Sequence, residues 1–333
     1  MDAFVVKKRK AGGSKTEQPK RACKMPGLVR VGRRQYGAGG KFLDPSVKGF
    51  TTILCLTPPS PYGAIGPYCL KNRAGHLMEN IYQFNKQYAS VPKTKQMYSR
   101  YSKRVIWEHP AEKHWDPVTK TPTAKYREWQ MKGLRCKDAV RYPVGFHHRH
   151  ECMGIWVPDW ESMNVTDTEM YLQKMVGYVE GRKLLYIPVY ADLVRAHPMF
   201  LDLKKRLEDG ENLLIVEVDG PHWESMDYYK TKYGVADDFI DSDHTIPISR
   251  DRIDILLEDE KHPFGHGYVL AMTLLGVDRE WNPDYIAPRR HVGLSSPSSS
   301  SPLSSSFSSL TPPVSQKLLP SSAAAAGGGG GGQ

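Results

Sequence analysis

No segment of this 333-residue chain approaches the roughly 20 consecutive apolar residues that a membrane-spanning helix requires. The first residues are basic rather than apolar, so they lack the hydrophobic segment of a secretory signal peptide. Cysteine is scarce as well. The five cysteines are an odd number, and no two have the two-residue gap of a zinc ribbon or a thioredoxin-like site. We therefore expect an intracellular protein with reduced thiols and no membrane partner.

Positive charge is concentrated near the amino terminus. The first 50 residues hold 13 Lys or Arg against 3 Asp or Glu, an excess equal to the net charge of +10 for the whole chain. We expect residues 1–40 to form a disordered basic arm. Two basic clusters in it resemble a bipartite nuclear-import signal, which predicts an import receptor as partner and a nuclear or nucleocytoplasmic location. They contain Lys7, Lys8, Arg9, Lys10, Lys20 and Arg21. A solvated tail and a contact with nucleic acid are the alternatives.

The other end of the chain has low complexity. From residue 295 onward it consists almost wholly of Ser, Pro, Ala and Gly, so residues 291–333 are expected to be a disordered tail. Between the two ends, apolar runs alternate with stretches of helical period, and no internal repeat is evident. The sequence therefore predicts one globular domain of the α+β (mixed α/β) class at residues 41–290.

Several secondary-structure elements can be predicted within this domain. Apolar runs closed by turn-forming residues predict strands at 51–56 and 212–218. Helical periodicity predicts helices at 77–88, 168–185, 200–207 and 268–275. Residues 105–165 contain five Trp among many Pro, His and charged residues, and we interpret them as irregular structure with short elements.

The helix predicted at 77–88 has two different sides. At about 100° per residue its apolar residues share one side, and Glu79, Gln83 and Lys86 line up along the other. An ordinary exposed face, stabilised by pairs from Glu79 to the following Gln and Lys, explains this pattern most simply.

The order of motifs downstream adds a second interpretation. The spacing Glu-x-x-x-Gln-x-x-Lys is followed by an aromatic and basic stretch, a helix, and a strand that ends in an acid near a Trp. This order resembles the NADAR family, N-glycosidases linked to NAD and ADP-ribose metabolism. A second similar block runs from Arg182 to Lys204, and residues 265–272 are similar to the glycine-led final helix of the family. The chain departs from the family pattern at Trp223, which follows Asp219 by four residues rather than three, at Glu224 in place of a glycine, and at Gly267 in place of an asparagine.

The resemblance implies a NADAR-like fold and a hydrolase that cleaves an N-glycosidic bond. Its partner would be an ADP-ribose-containing small molecule or a modified nucleic acid, such as one with ADP-ribosylated guanine. The implied catalytic residues are Glu79, Lys86 and Asp219. The implied substrate-binding residues are Gln83, Tyr82, Trp223 and Gly265. Neither a metal nor a cofactor is needed for this reaction.

The residue types suit that chemistry. An oxocarbenium-like ribose needs negative charge beside it and a proton donor for the departing nitrogen. Glu79 would supply the charge, and Lys86 would act as an ammonium on the leaving base or as a neutral amine that attacks the sugar. Asp219 would be a general base or accept a ribose hydroxyl, while Tyr82 or Trp223 would stack on the base. A turn-forming role for Asp219, ahead of Gly-Pro, is equally compatible with the sequence.

Two other functions remain open. Glu217 and Asp219, at alternate positions and followed by His222, resemble the metal-binding strand of PD-(D/E)xK and Vsr-like nucleases. A non-catalytic nucleic-acid-binding protein is suggested instead by basic residues mixed with tyrosines, namely Lys93, Lys95, Tyr98, Arg100, Tyr101, Lys103 and Arg104. A histidine-rich stretch invites a zinc site, although a polar loop is simpler; it contains His147, His148, His150 and Cys152.

Overall fold

A four-stranded sheet lies at the centre of the computed structural model, which describes residues 25–37, 41–97, 105–159 and 172–278. Its strands follow the order Thr245–Pro247, Val29–Arg33, Leu213–Glu217 and Thr51–Leu54. The last three run parallel, and Thr245–Pro247 is antiparallel to its neighbour. Every residue of Leu213–Glu217 is buried, as expected for a parallel strand covered on both faces.

The described elements alternate along the chain. In chain order the strands are β1 (Val29–Arg33), β2 (Gln35–Tyr36), β3 (Phe42–Leu43), β4 (Thr51–Leu54), β5 (Lys86–Tyr88), β6 (Ser90–Val91), β7 (Thr94–Met97), β8 (Val105–His109), β9 (Glu112–Lys113), β10 (Trp115–Asp116), β11 (Thr121–Pro122), β12 (Cys152–Pro158), β13 (Leu172–Val176), β14 (Leu213–Glu217) and β15 (Thr245–Pro247). The α-helices are Met78–Phe84, Ala124–Leu134, Tyr178–Gly181, Ile187–Arg195, Pro198–Glu208, Met226–Tyr233, Arg250–Glu258 and His266–Leu275. A π-helical segment, Arg182–Tyr186, joins the third helix to the fourth. The α+β class predicted from the sequence is confirmed.

The core forms where helices pack on the main sheet and on one another. Helix His266–Leu275 packs on β1 and β14, and Ile187–Arg195 packs on that helix in turn. Beside this unit, β12 pairs with β13 on one side and with β5 on the other, both antiparallel. The strands and helices predicted at 51–56, 212–218, 200–207 and 268–275 are all present, with ends shifted by up to two residues.

The predicted helix at 77–88 is wrong beyond Phe84. Asn85 ends the helix, since its Nδ2 donates to the carbonyl oxygen of Ile81 at 2.7 Å and its Oδ1 accepts from Gln130 Nε2 at 2.8 Å. The chain then continues as β5. An asparagine whose side chain competes with the backbone favours a helix end over its interior.

The prediction at 168–185 is wrong as well. Residues 172–176 are a strand, and the helix begins only after Gly177. Residues 168–171 lie outside the described part of the chain. The stretch that we interpreted as irregular contains an 11-residue helix, Ala124–Leu134, whose first turn is capped by Thr123 Oγ1 accepting from the backbone N–H of Tyr126 at 3.2 Å.

The expected boundary of the basic arm at residue 40 is also wrong, because β1 is an inner strand of the main sheet. Its arginines are engaged by the fold: Arg30 pairs with Asp241, and Arg33 donates to the carbonyl oxygen of Gly220. The import-signal residues 7–21 and the tail 291–333 lie outside the described residues. Among the described helices, none is both long and apolar enough to cross a membrane.

Candidate functional site

Three polar side chains form a hydrogen-bonded row where helix Met78–Phe84 meets β5. Gln83 Nε2 donates to Glu79 Oε1 at 2.9 Å, and Lys86 Nζ donates to Gln83 Oε1 at 3.0 Å. Lys86 Nζ also lies 4.6 Å from the centroid of the Tyr82 ring, a cation–π distance. The structure thus brings together four of the residues named from the sequence, although Lys86 belongs to a strand rather than to the helix.

This row does not lie on an exposed surface. Glu79 is 5% exposed and Gln83 8%, and every residue of the helix is buried. The polar side is covered because Asn80 holds a neighbouring segment: its Nδ2 donates to the carbonyl oxygens of Cys136 and Asp138, and its Oδ1 accepts from the N–H of Val140 at 2.8 Å. The simple explanation by an exposed helix face is therefore wrong.

The segment held by Asn80 brings an arginine to the row. Arg141 Nη2 donates to both carboxylate oxygens of Asp219, at 3.1 and 3.2 Å. The two side chains are 37% and 33% exposed. Burial nevertheless raises the pKa of Asp219, and the charge of Arg141 offsets part of this effect. The carboxylate of Asp219 is thus largely desolvated and still partly accessible to a ligand.

The pKa values of the acid and the amine in the row are shifted toward each other. Burial raises the pKa of Glu79, against the hydrogen bond from Gln83 and the charges of Arg141 and Lys86. Burial also lowers the pKa of Lys86, against the charges of Cys152 and Glu79. Both shifts follow from the cost of keeping an isolated charge away from water. Gln83 is hydrogen-bonded to both groups and separates the carboxyl group from the amine.

Sequence reasoning missed two groups of this site. Arg141 is one, and Tyr68 is the other: burial raises the pKa of the Tyr68 phenol well above its usual value, and the charge of Glu79 raises it further. Neither residue belongs to a motif, and only the fold brings them near Glu79. The hydrogen bonds from Asn80, one residue after Glu79, hold the segment that precedes Arg141 and so bring Arg141 to the site.

Glu217 lies next to this site but has a different role. Its Oε1 accepts from the N–H groups of Val218 and Asp219, at 2.7 and 3.3 Å, and its Oε2 accepts from the N–H of Gly267 at 2.6 Å. His266 Nδ1 lies 3.2 Å from the same Oε2. Glu217 is 0% exposed. Its carboxylate therefore fixes the start of the loop that carries Asp219.

Gly265 packs against that carboxylate. A Cβ placed on Gly265 would come within 2.5 Å of Glu217 Cδ and Oε2. The glycine allows the close approach of helix His266–Leu275 to the end of β14. This close packing is enough to explain why the position is a glycine, and no contact with a substrate is needed to explain it.

Trp223 is not joined to the row by any hydrogen bond or ring contact within the described residues. It is 40% exposed, and its backbone N–H donates to His244 Nδ1 at 3.2 Å. Tyr82 lies in the row instead, with its ring centroid 4.7 Å from that of Tyr186. The structure therefore leaves Tyr82, rather than Trp223, beside Glu79 and Lys86.

The other sequence candidates are only partly described. Lys95 Nζ lies 3.8 Å from Glu108 Oε2, and residues 98–104 fall outside the described ranges. In the histidine-rich stretch, His148 Nδ1 lies 2.8 Å from Glu151 Oε1, and Cys152 Sγ donates to the carbonyl oxygen of Gly154 at 3.2 Å.

In the part of the chain that the structure describes, two groups of side chains have metal-ligand atoms within 4.8 Å of one another. One consists of His222, Glu224 and His244, in which His244 Nδ1 already accepts from Trp223. The other consists of His109, Glu112 and His114, with both histidines buried. Neither group includes Glu79, Lys86 or Asp219.

Comparison with protein-family models, curated proteins and solved structures gave no match. A function for this chain must therefore be inferred from its own side chains.

Proposed function

We propose that this protein is a hydrolase that cleaves an N-glycosidic bond in an ADP-ribose-type or nucleotide substrate, with ADP-ribosylated guanine in nucleic acid as one such substrate. The supporting observation is the buried row of Glu79, Gln83 and Lys86 beside the accessible pair of Arg141 and Asp219. The resemblance of the row to the NADAR motif supplies the substrate class.

The carboxylate of Glu79 would stabilise the transition state. When the bond between C1′ and the base nitrogen breaks, positive charge develops on the ribose. A carboxylate in a desolvated site stabilises this charge more strongly than one in water. Gln83 fixes the Glu79 side chain through its hydrogen bond at 2.9 Å, so little reorganisation is needed during the reaction.

Lys86 and Asp219 would handle the protons. The departing nitrogen takes a proton from the Lys86 ammonium, and water adds to C1′ while Asp219 accepts one of its protons. The lowered pKa of Lys86 makes its ammonium a better acid than an exposed lysine. In a second route the neutral amine of Lys86 attacks C1′ and displaces the base nitrogen, which takes up the proton that the new C1′ amine loses. Opening of the ribose ring then gives a Schiff base, and its hydrolysis by water releases the sugar and regenerates Lys86.

Arg141 would bind the phosphate part of the substrate. Its Nη2 is held by Asp219, and 37% of its side chain is exposed. A guanidinium fixed in this way presents its remaining N–H groups to an anion in a defined orientation. A partly exposed arginine beside the Glu79 row therefore favours a substrate with phosphate groups.

The structure gives less support to a nuclease. Both oxygens of Glu217 already accept backbone hydrogen bonds, and Oε2 also faces His266. Both oxygens of Asp219 accept from Arg141. A binding protein without catalytic activity would have no need for a buried carboxyl group beside a buried amine, whose desolvation is costly.

The proposal is tested by incubating the purified protein with ADP-ribosylated guanosine, ADP-ribosylated DNA and NAD. The parent should release ADP-ribose from at least one of them, and Glu79→Gln and Lys86→Ala should not. Glu128→Gln and Lys125→Ala, an exposed pair of the same residue types, are the matched controls and should keep full activity. Equal release by Glu79→Gln and the parent would contradict the proposal.

Further measurements distinguish the two catalytic routes of Lys86 and the two alternative functions. Borohydride should trap a covalent ribose adduct on Lys86 only if the Schiff-base route operates. Strand cleavage that is lost in EDTA, restored by Mg²⁺ and not restored by Zn²⁺ would instead favour the nuclease. Binding of DNA without any product, with an affinity that falls steeply with salt, would favour the binding protein.

A further inference from the structure

Three side chains, one at the end of β8, one on β9 and one directly after β9, converge away from the Glu79 row. His114 is 0% exposed and His109 5%, while the Glu112 side chain is 18% exposed. The sequence His-x-x-Glu-x-His places them on a short segment that bends at Pro110. Their ligand atoms lie within 4.8 Å of one another.

The distances suit a common ion. Glu112 Oε2 lies 3.4 Å from His109 Nε2 and 3.8 Å from His114 Nε2. Two ligand atoms at Zn–N and Zn–O distances of about 2.0–2.1 Å are about 3.3 Å apart in a tetrahedral site. Both distances from Glu112 Oε2 are within about 0.5 Å of this value.

These atoms also have unmet bonding capacity. Both ring nitrogens of His114, and Oε2 of Glu112, lack a hydrogen-bond partner among the residues that the structure describes. A fully buried imidazole with neither nitrogen satisfied is costly, because it gives up its hydrogen bonds to water without replacing them. Packing alone does not account for this cost, since an apolar residue would fill the same space without it. A ligand shared by His109, Glu112 and His114 would remove the part of this cost that falls on Nε2 of His114 and Oε2 of Glu112.

The surrounding structure fixes the orientation of both imidazoles. His109 Nδ1 donates to the carbonyl oxygen of Pro110 at 2.7 Å, which leaves the lone pair on Nε2, the atom that faces Glu112. Metal-binding histidines are held by this kind of bond to a backbone carbonyl. His114 packs on Trp129, with ring centroids 5.0 Å apart, and its carbonyl oxygen accepts from Gln87 Nε2 at 3.1 Å.

The geometry points to a binding site for a divalent transition-metal ion, Zn²⁺ by preference, with His109 Nε2, Glu112 Oε2 and His114 Nε2 as its three protein ligands. Two imidazole nitrogens and one carboxylate oxygen form a ligand set that zinc sites use with a water molecule in the fourth position. Zn²⁺ binds nitrogen-rich sites more tightly than Fe²⁺ or Mn²⁺, and hard ions such as Mg²⁺ prefer all-oxygen ligands.

A surface cavity borders the carboxylate ligand. Glu112 lines a cavity of about 450 Å³ together with Val91, Lys113, His148 and Glu151. Glu112 is thus the ligand between the buried imidazoles and bulk water. The ion would enter from this side and keep its water there.

Metal binding would also stabilise the segment that carries the ligands. β9 pairs with β6, and the N–H of His114 donates to the carbonyl oxygen of Ala89 at 3.0 Å. A metal bound by residues 109, 112 and 114 in the folded state alone raises the unfolding temperature by mass action. The site is independent of the proposed hydrolase, because none of its ligands belongs to the Glu79 row.

The test measures Zn²⁺ in the full-length protein after EDTA treatment, reloading with one equivalent of Zn²⁺ and gel filtration. One ion per chain should be retained, the unfolding temperature should rise, and Mg²⁺ should have no effect. Glu112→Gln keeps the shape of the side chain and should weaken Zn²⁺ binding about 100-fold or more, because losing only an outer partner of a ligand costs about 10–100-fold. His109→Asn should do the same.

Two controls make the result specific. His150→Gln, on the exposed histidine-rich stretch, and His222→Gln, in the other His and Glu group, should leave Zn²⁺ binding unchanged. Co²⁺ in place of Zn²⁺ should give visible absorption bands of a four-coordinate site, which Glu112→Gln abolishes. The proposal is overturned if the parent retains no Zn²⁺, or if Glu112→Gln and His109→Asn bind as tightly as the parent.

Discussion

His266 and Glu217 form a buried ion pair, with His266 Nδ1 3.2 Å from Glu217 Oε2. The other ring nitrogen of His266 lies 2.9 Å from the carbonyl oxygen of Cys55, which can only accept. Both nitrogens therefore carry protons. Although burial alone would lower the pKa of His266, the charge of Glu217 raises it to about 10.

This pair makes stability depend on pH in a defined direction. The folded-state pKa of His266 lies above the value of about 6.5 in an unfolded chain. The contribution of the charged His266 to the free energy of unfolding is therefore complete below pH 6.5 and is lost as the pH rises to about 10. His266→Gln should lower the free energy of unfolding at pH 6 by a few kcal/mol, and the deficit should shrink toward pH 10. Urea unfolding at both pH values measures it. A deficit that is the same at both would show that His266 is not charged.

Glu79→Gln should stabilise the protein while it removes activity. Burial raises the folded-state pKa of Glu79, so stability falls as the pH rises from the unfolded value of about 4.3 to the raised folded value, and the penalty remains above it. Glutamine keeps the acceptor for Gln83 without the charge. The variant should melt at a higher temperature than the parent at pH 7 and at a similar one at pH 4.

The activity of the same variant gives the second half of this prediction. Loss of the charge should reduce the release of ADP-ribose by about 100-fold or more, the usual range for a group of this kind. A variant that is both less stable at pH 7 and fully active would show that Glu79 is only a structural residue.

Arg141→Lys should weaken substrate binding more than turnover. Lysine keeps the charge but cannot hold Asp219 and a phosphate group with separate N–H groups of one plane. A lost hydrogen bond between charged groups is worth about 1.5–3 kcal/mol, so KM should rise about tenfold or more. Arg149→Lys is the control, since the Arg149 guanidinium donates to the carbonyl oxygen of Phe146 on the exterior. Equal KM values for the two variants would exclude Arg141 from substrate binding.

Gly265→Ala should destabilise the fold. The new methyl group would lie 2.5 Å from Glu217 Cδ, and overpacking of this kind costs about 1–3 kcal/mol. Gly177→Ala is a matched control, because a Cβ there meets nothing within 4 Å and its φ is −69°. The unfolding temperatures of the two variants measure the difference in stability. If Gly265→Ala leaves stability unchanged and raises KM instead, Gly265 contacts the substrate, as the sequence suggested.

The elements that could be predicted from the sequence are those whose local signals agree with the fold. Leu213–Glu217 is a continuous apolar run closed by a turn, and it is a buried parallel strand. His266–Leu275 begins after one glycine and ends at another, Gly276, whose φ of +77° favours that residue. The strand at 172–176 could not be recognised, because its pairing with β12 is a long-range contact that no local pattern encodes.

The candidate site, too, could be predicted from the sequence only in part. The spacing of Glu79, Gln83 and Lys86 was visible in the sequence, but the reason given for it, one helix face, holds only for the first two. Arg141 reaches Asp219 because Asn80 forms hydrogen bonds with a segment about 60 residues away, with Val140 as one partner. The buried histidines 109 and 114 were hidden in a stretch rich in tryptophan, where polar and aromatic residues give no clear period.

The position of β1 has a practical consequence for shortened forms of this protein. Leu28 is tied to the sheet, since its N–H donates to Asn212 Oδ1 at 2.8 Å and its carbonyl oxygen accepts from Leu213 at 2.8 Å. A truncation that removes residues 1–40 would delete an inner strand and expose the edges of β14 and β15, which favours aggregation. Truncations intended to remove the basic clusters must therefore end before Gly27.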